Sequence, residues 1–170
     1  MNPSRRILPP QELLKSLISY DPDTGEFRWI KTRCHRATAG NVAGTRIPNG
    51  YIVIGILGQL HLAHRLAWQI TFGECPPSLD HVNQQKHDNR ICNLRPATQS
   101  ENGYNVTVKK SASPWPRGVY RVKSIQPSFR AQIKFGGKHL HLGCFPTPEE
   151  AGRAYQQARK DLCGEFAPTV

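Results

Sequence analysis

The sequence predicts an α+β protein built from two small units. Short runs rich in apolar and β-branched residues, bounded by turn residues, indicate strands in both halves of the chain. Three such runs followed by one helical segment, close to the C-terminus, form a small α+β unit of their own. Between the halves, residues 107–116 combine lysine, serine and proline, which is the composition of a linker. The predicted domains are therefore residues 1–106 and 117–170, and we find no internal repeat.

The first unit is predicted to open with a helix. Within residues 9–19, Leu13, Leu14, Leu17 and Ile18 form an apolar stripe at helical spacing, with proline at its start. The elements predicted after it are a turn (20–25), a strand (26–30), a basic loop (31–50), a hairpin around Gly58-Gln59 (51–57 and 60–63) and a helix that stops at Gly73 (63–72).

The second unit is predicted to hold three strands and one helix. The strands cover residues 118–122, 128–135 and 138–143, and the helix covers residues 148–163. Thr147 as the cap, Pro148 in the first turn and two glutamates near the positive end of the helix dipole agree on where this helix begins.

Charge gives the first indication of a binding partner. The net charge is +11; residues 1–110 carry 14 basic and 8 acidic side chains and residues 111–170 carry 9 and 4, giving +6 and +5. Basic charge spread over both structured halves favours a polyanion, although charge alone does not separate DNA from RNA or from a membrane surface. The five cysteines include no C-x-x-C pair, which argues against a zinc knuckle and a disulfide framework.

Targeting signals are not predicted. No apolar run approaches the roughly 18 residues that a membrane helix needs. The basic start of the sequence leads into Pro9-Pro10 rather than into the apolar core of a signal peptide. We therefore expect a cytoplasmic protein, in the host cytoplasm if a phage encodes it.

Residues 80–102 carry the chemically informative pattern. Asp80 and His81 are neighbours in a short predicted strand, so their side chains point to opposite faces. Thr98-Gln99-Ser100-Glu101 is a capping-box pattern that predicts a helix from Thr98, with Asn102 in its first turns. An aspartate with an asparagine is an oxygen-ligand pair suited to Mg²⁺, which keeps several waters.

This segment resembles the ββα-metal finger of HNH endonucleases of the phage and intron type, also called the His-Me finger. The resemblance covers roughly residues 13–106. The matching motifs are Ala63-His64-Arg65-Leu66-Ala67-Trp68, Asp80-His81, Asp88-Asn89-Arg90, Asn93-Leu94-Arg95 and Ser100-Glu101-Asn102 with Asn105, with upstream matches at Gly25-x-Phe27-x-Trp29, Val42-Ala43-Gly44 and Gly50-Tyr51.

The resemblance implies a role for each of four residues. His81 would be the general base that activates water, and Asn93 would brace the loop that carries it. Asp80 and Asn102 would be ligands of one divalent metal, Mg²⁺ or Mn²⁺. A histidine near its ordinary pKa is suited to accept a proton at neutral pH. Five other histidines are expected to be structural or exposed: His64 packs the hairpin onto the helix, His87 lies in an exposed turn, and His61, His139 and His141 line strands.

Two departures from the family pattern bear on activity. Gln84 stands where many relatives have glycine, which leaves the geometry of that turn open. Gln99 stands where many relatives have an arginine able to contact the scissile phosphate, and its loss lowers transition-state stabilisation. The alternatives are a catalytically weak or inactive DNA-binding regulator or packaging accessory, and an RNA-directed nuclease or RNA binder, for which no aromatic RNA-binding motif is present.

Residues 117–166 resemble the DNA-binding domain of plant ethylene-response factors, the AP-two type. Matching motifs include Arg117-Gly118-Val119-Tyr120, His141-Leu142-Gly143 and Thr147-Pro148-Glu149-Glu150-Ala151. Such a domain lays a three-stranded sheet in the major groove of double-stranded DNA. Strand alternation puts one set of polar side chains on the face opposite Ala131, Ile133 and Phe135. The residues expected to contact DNA are Arg117, Arg121, Lys123, Arg130, Gln132 and Lys134.

Together, the two resemblances imply a homing-type nuclease of a phage or mobile element. As a monomer it would nick one DNA strand, and as a homodimer it would cut both strands.

Overall fold

The computed structural model describes residues 7–35, 37–105, 113–123 and 128–166. The chain divides into two compact units, Met1–Gln99 and Ser100–Val170, and each is described by itself. Of the predicted linker, residues 107–112 lie outside the described residues. Helices and strands are mixed in both units, so the α+β fold class is confirmed. No helix in the described part of the chain is long and apolar enough to cross a membrane.

The first unit contains small antiparallel sheets packed around two helices. Its elements are α1 (Gln11–Leu17), β1 (Ile18–Tyr20), β2 (Phe27–Trp29), β3 (Thr45–Arg46), β4 (Ile52–Ile56), β5 (Gln59–Leu62), α2 (Ala63–Phe72), β6 (Leu79–His81), a 3-10 turn (Ile91–Asn93) and β7 (Leu94–Pro96). Strand β1 pairs with β2, β4 lies between β3 and β5, and β6 pairs with β7.

The predicted first helix is shorter than the apolar stripe suggested. Helix α1 ends at Leu17, and Ile18 instead begins β1 and pairs with Trp29. Ile18 is β-branched and almost fully buried, so strand pairing and burial override the helical spacing. The predicted basic loop likewise contains the two-residue strand β3, which pairs with β4.

Helix α2 follows the β4–β5 hairpin with the predicted bounds. Its apolar side chains Leu66, Ala67 and Ile70 are buried together with Ile54 and Ile56 of β4, in the core of the unit. Gly73 ends the helix in the left-handed conformation (φ 83°), which a residue without a Cβ adopts at little cost.

The N-terminal hairpin packs directly against the loop at residues 88–90. Tyr20 Oη donates to the carbonyl of Asn89 at 2.8 Å, and the Ile91 N–H donates to the carbonyl of Pro22 at 3.2 Å. At Gly25, a Cβ would lie 2.6 Å from the backbone nitrogen of Arg90. Glycine is therefore required at residue 25 for this close approach of two backbones.

The second unit is a three-stranded antiparallel sheet with a helix on one face. Its elements are α3 (Gln99–Tyr104, counted here although Gln99 ends the first unit), β8 (Val119–Val122), β9 (Ser128–Phe135), β10 (Lys138–Phe145), α4 (Pro148–Cys163) and a final 3-10 turn (Gly164–Phe166). Strand β9 is central. Its side chains Phe129 and Ala131 are buried with Val119 and with Ala151 of α4.

The predicted strands and helix of this unit are confirmed, with one extension. Strand β10 continues past Gly143, where the sequence predicted its end. The register shifts between His141 and Gly143, and pairing resumes with Cys144 opposite Arg130. Gly143, at φ 127°, accommodates a bulge instead of ending the strand. At the start of α4, Thr147 Oγ1 accepts a hydrogen bond from the Glu150 N–H, as the cap pattern predicted.

Candidate active site

The β6–β7 hairpin positions the two residues that the sequence singled out. Asp80 lies opposite Arg95 in the ladder and His81 lies opposite Leu94. All three residues of β6 are buried, His81 with 5% of its surface exposed. Because neighbouring strand residues point to opposite faces, the carboxylate and the imidazole diverge from one strand.

The His81 imidazole lies in a cluster of rings. His64 of α2 packs edge-on against it, with 4.9 Å between ring centroids. The Tyr51 ring, at the start of β4, lies 5.9 Å from His81 and 5.3 Å from His64. His64 was expected to pack the hairpin onto the helix, and its buried ring also limits the orientations that the His81 ring can take.

Burial keeps both histidines neutral. It lowers the pKa of His81 below its ordinary value, although a hydrogen bond with the Asn89 side chain and the nearby carboxylates of Asp80 and Asp88 oppose that shift. Burial, with smaller contributions from the neighbouring His81 and Arg65, lowers the pKa of His64 to about 3. The His81 ring is therefore neutral at pH 7, the state in which it can accept a proton.

Asn93 ties the two ends of the loop between β6 and β7 together. Its Oδ1 accepts a hydrogen bond from the Asn83 N–H at 3.0 Å, and its Nδ2 donates to the Asp88 carbonyl at 2.8 Å. The carbonyl of Asn93 also accepts from the Val82 N–H at 2.9 Å. These contacts hold the residues that follow His81, which is the arrangement that a bracing role requires.

An ion pair stabilises the far side of this loop. Arg90 donates from Nε to Asp88 Oδ1 at 2.9 Å and from Nη2 to Asp88 Oδ2 at 2.6 Å, and Asn83 Nδ2 donates to the same Oδ2. The Arg90 hydrogen bonds are the main reason that the pKa of Asp88 falls to about 2. Both carboxylate oxygens of Asp88 are therefore engaged within this loop.

Gln84 lies in the turn after His81, where many relatives of the resembled family have glycine. Gln84 adopts φ 63°, in the left-handed region that favours glycine, and its N–H donates to the His81 carbonyl at 2.9 Å. The turn therefore keeps the conformation expected of a glycine, and the strain of a residue with a Cβ is borne by Gln84.

Asp80 forms an ion pair with the neighbouring side chain of Arg95. Arg95 donates to Asp80 Oδ2 from Nε at 3.0 Å and from Nη2 at 2.8 Å, and both side chains are largely buried. A largely buried carboxylate supplies the type of oxygen ligand that a divalent ion such as Mg²⁺ prefers, although Arg95 occupies Oδ2 of Asp80 in this structure. In the described ranges, no three His, Cys, Asp or Glu side chains form a group that could hold a metal.

Several site residues escaped the sequence analysis or stay predictions. Asn89 (fully buried beside His81), Arg95 and Tyr51 belong to the motifs that resemble the family but had no predicted role, and Lys86 lies outside those motifs. Asn102 lies on α3 in the second unit, so its pairing with Asp80 stays a prediction. His87 is exposed in its turn, as expected.

The second unit exposes most of the side chains predicted to contact DNA. Along β9, Ala131 and Ile133 are buried, while Arg130 and Lys134 are exposed and Gln132 is half-buried, as strand alternation predicted. The other exposed members of the set are Arg117, Arg121 and Lys123. These cations lie on or beside β8 and β9, on a sheet whose other face packs on α4.

A basic cavity of about 210 Å³ lies at one end of this sheet. Its cationic lining residues are Arg117, Lys134 and Arg159, with His139 beside them, and none of the described residues that line it is acidic. Cys163 also lines the cavity, and Arg159 and Arg117 both act to lower the pKa of its thiol, although burial has the larger effect and raises that pKa. The cavity is suited to an anion.

Comparisons with known proteins identify the region that contains β6 and β7. The model of the HNH endonuclease family matches residues 61–104, so the chain contains an HNH endonuclease domain. A protein of Acanthamoeba polyphaga mimivirus, named as an uncharacterised HNH endonuclease, is 31% identical over 121 residues. The match covers 70% of this chain and 62% of that relative, which is less than two thirds of its length. No solved structure matches the chain.

Proposed function

We propose that this chain is a metal-dependent endonuclease that hydrolyses phosphodiester bonds of double-stranded DNA, with His81 as the general base. The observation that carries the proposal is the pairing of Asp80 with His81 on one strand, where His81 is buried, neutral and braced by Asn93. This strand lies inside the region that matches HNH endonucleases.

In this mechanism His81 removes a proton from the attacking water. Its lowered pKa leaves the ring ready to accept that proton at neutral pH. Packing against Tyr51 and His64 fixes the plane of the ring, and the hydrogen bond with Asn89 fixes its rotation. Asn93 holds the loop, so that the position of the base does not change when substrate binds.

Asp80 and Asn102 would hold the divalent ion, Mg²⁺ or Mn²⁺. When bound, the ion supplies positive charge that stabilises the phosphate and the leaving oxygen in the transition state. Asp80 contributes a carboxylate on the strand face opposite His81, and Arg95 keeps that carboxylate oriented. Gln99 contributes no charge to the phosphate, which predicts a slow enzyme.

The second unit would grip the DNA backbone and bases. The exposed cations of β8 and β9 provide the charge, and the basic cavity with Arg117, Lys134 and Arg159 adds a pocket of the size and sign that suit a phosphate. One HNH domain in a monomer would nick one strand, and a homodimer would cut both. A role in a phage or mobile element, as a homing-type enzyme, completes this proposal.

The test is incubation of the full-length protein with supercoiled plasmid in Mg²⁺ or Mn²⁺. We expect open circles, which disappear with EDTA and in the His81→Ala variant. His87→Ala is the matched control, because His87 is an exposed histidine of the same loop, and it should nick at the wild-type rate.

The alternative is a DNA-binding regulator or packaging accessory without cleavage, which the loss of an arginine at Gln99 would favour. Plasmid that stays supercoiled with every protein, but is retarded equally by wild type and His81→Ala in a gel, supports that alternative. A competition series with single-stranded RNA separates DNA-directed from RNA-directed binding.

A further inference from the structure

A lysine next to the site is held in an unusual place for an exposed cation. The Lys86 Nζ lies 4.9 Å from the centre of the Tyr51 ring, over its face. It also donates to the carbonyl of Asn49 at 3.3 Å. The Lys86 side chain therefore leaves its own loop and lies across the turn that leads into β4.

The stem of Lys86 passes over Gly50. A Cβ added at residue 50 would lie 3.7 Å from both Cβ and Cδ of Lys86, so the stem runs close to this turn. Gly50 adopts φ 93°, so this turn takes a shape that favours glycine beneath the stem. A lysine held in this way loses less side-chain freedom on binding than a lysine extended into solvent.

The ammonium group has capacity for another acceptor. A lysine carries three N–H donors, and within the described residues it has the long bond to Asn49 but no carboxylate at ion-pair distance. The cation–π contact with Tyr51 is worth about 0.5–1 kcal/mol at an exposed site and leaves the other side of the ammonium open to an anion.

The position of this charge relates it to the proposed base. The centre of the Tyr51 ring lies 4.9 Å from the Lys86 ammonium and 5.9 Å from the centre of the His81 ring. Each DNA strand carries a phosphate about every 3.4 Å along the helix axis. A backbone positioned for attack at His81 therefore passes within reach of Lys86, while Gln99 supplies no cation from the position where relatives have arginine.

We propose that Lys86, held over Tyr51 and Gly50, binds a phosphate of the substrate backbone beside the scissile bond. The proposal rests on the proposed function, since it uses the base at His81 to place the DNA. The simpler role of Lys86, a side chain that only steadies the Asn49–Gly50 turn, predicts an effect on stability and none on the electrostatics of DNA binding.

The experiment measures DNA affinity against salt concentration. Binding of a short fluorescent duplex is measured with Mg²⁺ in the His81→Ala background, where cleavage does not interfere. Lys86→Met keeps the apolar stem and removes the charge, and Lys86→Arg restores a charge. Lys15→Met is the matched control, because Lys15 is another partly exposed lysine of the first unit, paired with Glu12 on α1.

We expect Lys86→Met to lower the affinity by about tenfold, the effect of losing one hydrogen bond to a charged group. The slope of log affinity against log salt should become shallower by about 0.9, the value for one phosphate contact. Lys86→Arg should restore the slope, and Lys15→Met should match the parent. A Lys86→Met slope equal to that of Lys15→Met overturns the inference. Should Lys86→Met fail to fold, Lys86→Gln is measured in its place.

The two proposals fail separately. In the active background, nicking by wild type with a rate at least about tenfold lower in Lys86→Met supports both. A wild-type protein that leaves plasmid intact overturns the proposed nuclease, while the salt slope still decides whether Lys86 meets a phosphate. A nicking wild type with Lys86→Met equal to Lys15→Met in rate and slope overturns the role of Lys86 alone.

Discussion

The bracing role of Asn93 gives a prediction that can be worked out from its hydrogen bonds. Asn93→Ala removes the acceptor for the Asn83 N–H and the donor to the Asp88 carbonyl, and leaves the backbone bonds of residue 93 in place. Each side-chain bond is worth about 1 kcal/mol, so the loop loses about 2 kcal/mol. A loss of that size corresponds to about a thirtyfold increase in local opening.

The assay is amide hydrogen exchange at residue 83, read by mass spectrometry or NMR. Exchange of the Asn83 amide should speed up about thirtyfold in Asn93→Ala, since opening of the loop exposes it to solvent. Cys92→Ala is the matched control, because Cys92 is the exposed neighbour of Asn93 and makes none of these bonds. Nicking should fall in Asn93→Ala although His81 is intact.

The hydrogen-exchange result tests the role of the two Asn93 hydrogen bonds whether or not the protein cleaves DNA. If the Asn83 amide exchanges at the same rate in Asn93→Ala and Cys92→Ala, the two hydrogen bonds do not hold the loop. If exchange accelerates but nicking is unchanged, the loop is held by Asn93 but its order does not matter to the base.

Three further predictions concern turn strain and protonation. Gln84→Gly should stabilise the first unit by about 1 kcal/mol in urea unfolding, because glycine adopts φ 63° without the penalty of a Cβ; a destabilised variant contradicts this. The pKa of Asp88 in the folded protein is lowered to about 2, so its ionised carboxylate stabilises the fold. Wild type should therefore be more stable than Asp88→Asn by the full amount above pH 3.8, and this difference should vanish as the pH falls through about 2. The midpoints of urea unfolding across that pH range check this prediction. Since burial lowers the pKa of His81, the acid limb of the pH profile for single-turnover nicking should lie below pH 6.5, and a limb above that value is inconsistent with a buried base.

The sequence was sufficient where local signals and tertiary packing agree. Helix α2 has helical spacing and a glycine stop, and α4 has a threonine cap with proline and glutamates behind it, so their bounds follow from the chain alone. The pattern of buried and exposed residues along β9 follows from strand alternation in the same way.

The sequence was insufficient where a distant segment decides the conformation. Ile18 continues a helical stripe, but its pairing with Trp29 draws it into a strand. A glycine at residue 143 predicted the end of a strand, and only the pairing register against β9 shows that Gly143 accommodates a bulge.

The residues of the candidate site also fall into those that the sequence predicts and those that only the structure reveals. Asp80, His81 and Asn93 stand in a recognisable order along the chain, so their roles could be hypothesised before any geometry. The Tyr51 ring reaches the site from a turn about 30 residues before His81, and the Lys86 side chain extends from the His81 loop to that ring; no periodicity links such positions. Asn89 reads as an ordinary loop asparagine until its burial is seen.

The close approach of the Gly25 backbone to residues 89 and 90 matters for any attempt to transfer the proposed catalytic segment into another protein. A fragment cut at the boundaries of the family match, residues 61–104, would leave behind the tyrosine hydroxyl and the proline carbonyl that anchor the backbone at residues 89 and 91. It would also leave behind the ring of Tyr51. A portable version of the proposed catalytic segment therefore has to carry the N-terminal hairpin with it, from the start of α1 onward.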